Sequence, residues 1–132
     1  MKSEPATWSW SAQAKATTTA WDGVRNYQAS NNLKAMQIGD RAFFYHSGDE
    51  RKIVGIVEIC KTYYPDPSDP QGRFGMVDVK TVKELPQPIS LARVKEHPQL
   101  QDLALVRQSR LSVMPIDEQS WRLLCQLGEL KE

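Results

Sequence analysis

The sequence of 132 residues contains little of what would mark a specialised class of protein. It has two cysteines, Cys60 and Cys125, which stand far apart in the chain. In a reducing compartment these are most simply buried thiols, and they provide no disulfide framework. With only two histidines, His46 and His97, the chain also lacks the close ligand pairs of a zinc site. We therefore expect no metal and no cofactor.

Long apolar runs and a strong net charge are also missing. No run approaches the ~20 apolar residues that span a bilayer, and residues 1–5 lack the apolar stretch of a secretory signal. We expect a cytoplasmic protein, nuclear if eukaryotic, with no membrane partner. A net charge of +1 and a pI of about 7.8 argue against non-specific duplex binding as the main activity. They leave open a pocket for one nucleotide or a small ligand.

What the chain does contain fits one soluble domain over residues 1–132, since 40% of its residues are hydrophobic and 25% are charged. Strands are predicted at 41–46, 53–60, 74–83 and 111–114, with Pro86 and Pro88 ending the third. Helices are predicted near 11–15, at 28–36 and 91–96, and after the N-cap Asp117. The segment 103–107 is ambiguous, and 64–73 is a proline-rich loop. Short strands with few helices predict an α+β fold, a mixed-sheet pseudo-barrel in which Gly55 marks a bend or bulge.

The segment 21–27 (WDGVRNY) is the densest in chemistry. It combines two aromatics, a guanidinium, a carboxamide and a turn glycine, without a clean helical or strand period. Aromatic faces beside planar hydrogen-bonding groups suit a flat heterocycle such as a base. From the residues alone, Trp21 fits core packing and ligand stacking equally well. Arg25 fits an internal strut or a contact to a ligand carbonyl or phosphate.

A second polar cluster occupies 108–115. Arg110, flanked by Ser109 and Ser112, either faces a cavity or holds the C-terminal helix through an ion pair. At the end of the 41–46 strand, His46 and Ser47 make a poor base–nucleophile pair, because neighbouring strand residues point to opposite faces. His46 is more simply a structural histidine that bonds the turn, or a ligand contact. Without a convincing nucleophile or a glycine-rich phosphate loop, we expect no enzyme.

Seven motifs then occur in order along nearly the whole chain: MKSEP at 1–5, WDGVRNYQA at 21–29, GD at 39–40, FYHS at 44–47, VGI at 54–56, YPD at 64–66 and SRLSVMP at 109–115. Together they resemble the EVE domain family. The resemblance implies a PUA-like fold of about five to six strands with short surrounding helices, related to YTH and ASCH domains. EVE domains are similar to readers of modified cytosine in DNA, which implies a pocket for a flipped base.

Carried over from the family motifs, the expected ligand-binding residues are Lys2, Ser3, Glu4, Trp21, Val24, Arg25, Asn26, Tyr45, His46, Ser47, Arg110 and Ser112. The resemblance assigns Trp21 as the stacking face. Asn26, Ser3 and Ser47 would contact the base edge, and Glu4 would accept from an exocyclic amine. Lys2 with Arg25 or Arg110 would meet the phosphate. A flipped base needs this combination of stacking and edge contacts.

The chain departs from the family pattern at two places. Relatives carry an apolar strand before the KSEP motif, so we expect either a shortened strand or a true start upstream of Met1. Ser30 stands where relatives tend to have arginine, which predicts weaker binding to phosphate.

The resulting hypothesis is a non-enzymatic module that binds a modified base, of the modified-cytosine class, or a nucleotide of DNA or RNA. One alternative is an enzyme or binder acting on a small heterocyclic, nucleotide-like metabolite. Another is a protein-interaction module that uses the 64–72 loop.

Overall fold

The computed structural model describes residues 1–130, which form one mixed sheet in the order β1-β3-β4-β5-β2 with helices around it. The strands are β1 (Lys2–Ser3), β2 (Thr18–Trp21), β3 (Arg41–His46), β4 (Lys52–Pro65) and β5 (Gly75–Ser90). The helices are α1 (Trp10–Ala16), α2 (Tyr27–Lys34), α3 (Leu91–Glu96), α4 (Ala104–Arg107) and α5 (Glu118–Leu127), with a 3-10 turn at Pro98–Leu100. None of the described helices is both long and apolar enough to cross a membrane.

The sheet is strongly curved but not closed. β1 runs parallel to β3, and the other pairings are antiparallel. Trp21 of β2 contacts Phe44 of β3 with ring centroids 5.4 Å apart, although β5 and β4 lie between these strands. Three strand spacings would separate them by ~14 Å in a flat sheet. The predicted mixed-sheet pseudo-barrel is thereby confirmed, with five strands.

Two apolar clusters pack on opposite faces of the sheet, as strand alternation requires. Phe44 and Val57 belong to the cluster inside the curve, with Trp10, Trp21 and Leu33. The cluster on the other face includes Phe43 and Ile53, and α5 covers it. β4, which contains the predicted 53–60 strand, thus contributes apolar side chains to both clusters.

Gly55 marks the bend that the sequence predicts. The register between β3 and β4 shifts between Phe44 and Tyr45, and that between β4 and β5 shifts between Ile53 and Gly55. The Trp10 ring lies where a Cβ on Gly55 would stand. The glycine therefore curves the strand and also makes room for an aromatic ring.

Helix ends follow the predicted capping chemistry. The Asp117 side chain accepts a hydrogen bond from the Ser120 amide and begins α5 as expected. Asn26 caps α2 in the same way, through the Ala29 amide. The ambiguous 103–107 segment contains α4.

Two predictions about strands are wrong. β5 continues through Pro86 and Pro88 to Ser90, because the pairing with β4 jumps from Glu84 to Ile89 and leaves the prolines in a bulge that needs no ladder donors. The 111–114 segment pairs with no strand. Its apolar side chains are buried like those of a strand, which explains the error.

Candidate nucleic-acid interface

The pairing of β1 with β3 brings the first predicted site residues together. Lys2 lies opposite Tyr45, and Ser3 lies opposite His46. The Ser47 amide donates to the Ser3 carbonyl at 2.9 Å. The Ser3 hydroxyl is itself used inside the protein, since it donates to the Trp8 carbonyl at 2.5 Å.

The 108–112 segment joins the same edge of the sheet. The Lys2 amide donates to the Ser112 carbonyl at 2.8 Å, and the Lys2 ammonium donates to the Ser109 carbonyl at 3.0 Å. Partial burial lowers the pKa of Lys2 from its ordinary value. Two chain segments about a hundred residues apart thus meet at Lys2, as the family motifs imply.

A polar cavity of about 310 Å³ lies between the start of α2 and this segment, and we call it the α2 cavity. It brings two predicted residues together, Asn26 and Arg110. Its full lining is Asn26, Gln28, Arg107, Gln108, Ser109, Arg110 and Leu111. The Asn26 carbonyl oxygen is occupied as the helix cap, so only its NH₂ group remains for a ligand. Gln28 lies inside the 21–29 motif but was not among the expected site residues, and Arg107 belongs to none of the seven motifs.

The α2 cavity has one apolar lining residue. Leu111 lines it and belongs to the same core cluster as Trp21 and Val24. Trp21 is only 8% exposed and meets Phe44 edge to face. It does not line the α2 cavity. In this conformation its ring is therefore part of the core.

Arg25 points toward the loop after β4. Its guanidinium donates to Asp66 at 3.2 Å, to Ser68 at 2.9 Å and to the Val24 carbonyl at 3.0 Å. Burial raises the pKa of Asp66, but the hydrogen bonds from Ser68, Gly23 and Arg25 outweigh it and lower the pKa to about 2. The structural interpretation of Arg25 fits this geometry: it fastens the 23–26 loop to the 66–68 loop.

His46 also has its ring atoms engaged. Its Nε2 accepts a hydrogen bond from the Trp10 amide at 2.9 Å, so the proton of the neutral ring lies on Nδ1 and faces Glu50 at 3.1 Å. The contact with His46, followed by that with Lys52, lowers the pKa of Glu50. Such a histidine holds the turn after β3 and is not placed as a general base.

Glu4 approaches the same turn. Its carboxylate lies where a Cβ on Gly48 would stand, and Gly48 has a φ of +75°. Both features favour glycine there. Glu4 is not among the residues that line the α2 cavity.

A second cavity, of about 350 Å³, lies beside β3, and we call it the β3 cavity. Lys2 and Tyr45 line it, together with Asn32 of α2 and Met36 just after that helix. Phe43 and Trp121 form one wall, with stacked rings 4.0 Å apart. Burial raises the pKa of Tyr45. Its lining comes from at least seven separate stretches of the chain, and no local pattern predicts it.

Within residues 1–130, the His46 ring hydrogen-bonds to the Trp10 amide and to Glu50, and not to the neighbouring Ser47 hydroxyl. Burial, followed by the charge of Asp78, raises the pKa of the half-buried Cys60 thiol, which disfavours the reactive thiolate. No group of three His, Cys, Asp or Glu in this part of the chain could hold a metal ion.

A curved mixed sheet ringed by short helices defines the fold as PUA-like. The EVE domain model matches residues 1–127, and the chain belongs to the EVE domain family. Human thymocyte nuclear protein 1 is 38% identical over 141 residues, which cover 89% of this chain. The chain spans about three fifths of the length of the curated relatives, 62% for the human protein.

Solved structures agree closely in fold. The Rpa0253 protein of Rhodopseudomonas palustris is 49% identical with a TM-score of 0.93, and the match covers 100% of this chain and 92% of that one. Human THYN1, solved in complex with DNA containing 5-methylcytosine, is 35% identical with a TM-score of 0.86, covering 100% and 97%.

Proposed function

We propose that this chain is a non-enzymatic module that binds nucleic acid and accepts a modified base, of the 5-methylcytosine class, in the α2 cavity. The observation that carries the proposal is the lining of that cavity: amide and guanidinium groups together with one apolar residue of the core, Leu111. A volume of about 310 Å³ is within the range of ~300–1,000 Å³ typical of ligand pockets. The THYN1 complex with 5-methylcytosine DNA supports the choice of ligand.

The roles of the predicted residues follow from their positions. The Asn26 NH₂ group and the Gln28 amide would contact the edge of the base, over Leu111. Arg110 would meet a flanking phosphate, as guanidinium groups commonly do. Arg107 pairs with Asp102 at 2.6 Å, and it would meet a phosphate by exchanging this exposed partner. Trp21 and Val24 belong to the same core cluster as Leu111 and would support it from the core. They would contact the base only if the 23–26 loop opens.

The other predicted residues surround this cavity at greater distance. Lys2 and Ser112 would hold the 108–112 wall in place. Ser3, Glu4, Tyr45, His46 and Ser47 would order the neighbouring β1–β3 edge, and Arg25 would order the 23–26 loop.

Asn26→Asp tests the proposal most cleanly. Aspartate caps a helix as well as asparagine does, but it removes the NH₂ donor and adds a negative charge to the cavity. We expect unchanged thermal unfolding and at least a tenfold weaker Kd for a duplex with one 5-methylcytosine, measured by fluorescence anisotropy.

The matched control is Asn31→Asp, at an exposed asparagine of α2 that lines neither the α2 cavity nor the β3 cavity. It should leave the Kd of the modified duplex within about twofold of the wild-type value. Equal Kd values for wild type and Asn26→Asp would exclude the α2 cavity as the binding site, and failure of the wild type to bind modified or plain DNA and RNA would overturn the function.

A second candidate function rests on the β3 cavity, whose stacked Phe43 and Trp121 rings suit a small heterocyclic ligand. Because Trp121 lines it, a ligand bound there should change tryptophan emission. A fluorescence screen of nucleosides and free bases, repeated with Trp121→Phe, tests this. A response that survives in Trp121→Phe would place the ligand elsewhere.

A further inference from the structure

Tyr27 is an exposed aromatic side chain that the folding of the domain does not account for. Tyr27 is 62% exposed. Two other large apolar side chains of residues 1–130 are exposed, Ile38 and Val82, and both are aliphatic. Tyr27 begins α2, a position that does not require an aromatic residue.

Tyr27 is held in place by a second ring. Its centroid lies 4.9 Å from that of Phe74, at an interplanar angle of 36°. The Arg25 guanidinium lies 5.7 Å from the Phe74 centroid, and Asp66 and Ser68 fix that guanidinium. One side of the tyrosine is therefore supported, while its high exposure leaves the other side open to a ligand.

This aromatic ledge, Tyr27 on Phe74, adjoins the α2 cavity. Asn26 and Gln28 both line that cavity, and Tyr27 stands between them. Its Cα is thus one residue, ~3.8 Å, from each of two cavity residues. Tyr27 is not itself among the lining residues, so the ledge stands beside the cavity and not within it.

We propose that the ledge stacks a nucleobase that flanks the base held in the α2 cavity; this rests on the proposed function. Removing one base from a helical stack deprives its neighbours of a stacking partner. An exposed aromatic ring replaces that partner without regard to sequence, since every base has a π-face. The site then contacts at least two successive nucleotides, with the cavity selecting the modification and the ledge adding affinity.

The test compares Tyr27→Ala and Tyr27→Phe with Ile38→Ala, which removes an equally exposed apolar side chain outside the ledge. Each variant is titrated with two labelled oligonucleotides that contain one 5-methylcytosine. One has normal flanking bases, and the other has abasic sites on both sides of the modified base. Thermal unfolding of each variant checks that the fold is intact.

For the normal oligonucleotide, we expect Tyr27→Ala to raise the Kd about tenfold, since stacking on one aromatic contributes ~1–3 kcal/mol per base and ~1.4 kcal/mol corresponds to tenfold. Tyr27→Phe and Ile38→Ala should stay within about twofold of wild type. With abasic flanks, wild type and Tyr27→Ala should bind alike.

Wild-type binding that Tyr27→Ala leaves unchanged would overturn the ledge and leave the proposed function standing. An equal loss on both oligonucleotides would also overturn it, because the tyrosine would then act on the modified base itself. If the wild type binds neither of the two oligonucleotides, both proposals are refuted.

Discussion

The two cavities lie at opposite ends of α2 and differ in chemistry. The α2 cavity borders the start of the helix, at Asn26 and Gln28, and carries two arginines. The β3 cavity borders its far end, at Asn32, and Met36 just beyond the helix, and its walls are largely apolar and aromatic. The same short helix therefore serves a site with groups for phosphate and base edges and a site suited to a neutral ring.

Lys2 connects the two regions. It lines the β3 cavity, while its ammonium donates to Ser109 in the wall of the α2 cavity. Its lowered pKa reflects burial between them. Proximity alone does not decide which cavity takes the base; the difference in donors favours the α2 cavity.

The largest expected effect concerns the core beneath the α2 cavity. Phe44→Ala should lower the free energy of unfolding by about 3–5 kcal/mol, because Phe44 is fully buried and both Trp10 and Trp21 pack against it. Trp121→Ala in the wall of the β3 cavity should cost less, since Trp121 is only partly buried. Urea unfolding of both variants measures the contrast, and a greater loss for Trp121→Ala would contradict this view of the core.

The next largest effect concerns binding affinity and distinguishes the two cavities by their charged residues. Replacing Arg107 and Arg110 together with alanine should weaken binding of any oligonucleotide about tenfold or more, since hydrogen bonds to charged groups contribute ~1.5–3 kcal/mol. The salt dependence of log K should become shallower by ~0.9 for each phosphate that the double variant no longer neutralises.

The control is Arg41→Ala, an exposed arginine of the β3 cavity. A salt slope that changes in Arg41→Ala but not in the double variant would assign the phosphate contacts to the other cavity.

The smallest predicted effect concerns the loop that carries Asn26. Asp66 has a folded pKa of about 2, below its ordinary value of 3.8, so its carboxylate stabilises the fold above about pH 4 and loses this contribution as the pH falls toward 2. Asp66→Asn should therefore cost about 1–2 kcal/mol at pH 6, and the gap to wild type should narrow toward pH 2. Chemical unfolding of both proteins across this range measures it; a gap that stays constant with pH would mean that the carboxylate charge is not the cause.

Local patterns predicted the fold well wherever one segment determines the outcome. The strand at 41–46 and the cap at Asp117 depend on neighbouring residues alone, and both are confirmed. The bulge that absorbs Pro86 and Pro88 depends on how β4 pairs with β5, a contact between distant segments. The bend at Gly55 was predicted from the residue type, but the Trp10 ring packed over it was not.

The site was less accessible to sequence reasoning for the same physical reason. Motifs pointed to Asn26 and Arg110, which do share a cavity, and Gln28 follows Asn26 in the same motif, whereas Arg107 joins them only through the tertiary fold. Trp21 had balanced odds between core and ligand, and the structure places it in the core. Residue type does not reveal which side of an aromatic ring is covered.

One measurement tests the central claim most directly: a ¹H–¹⁵N correlation titration of the protein with an oligonucleotide carrying a single 5-methylcytosine. We predict that the side-chain amides of Asn26 and Gln28 and the backbone amides of 107–111 shift first, and that plain cytosine shifts them less. Shifts confined to the Trp121 indole and Met36 would place the ligand in the β3 cavity and contradict base binding in the α2 cavity.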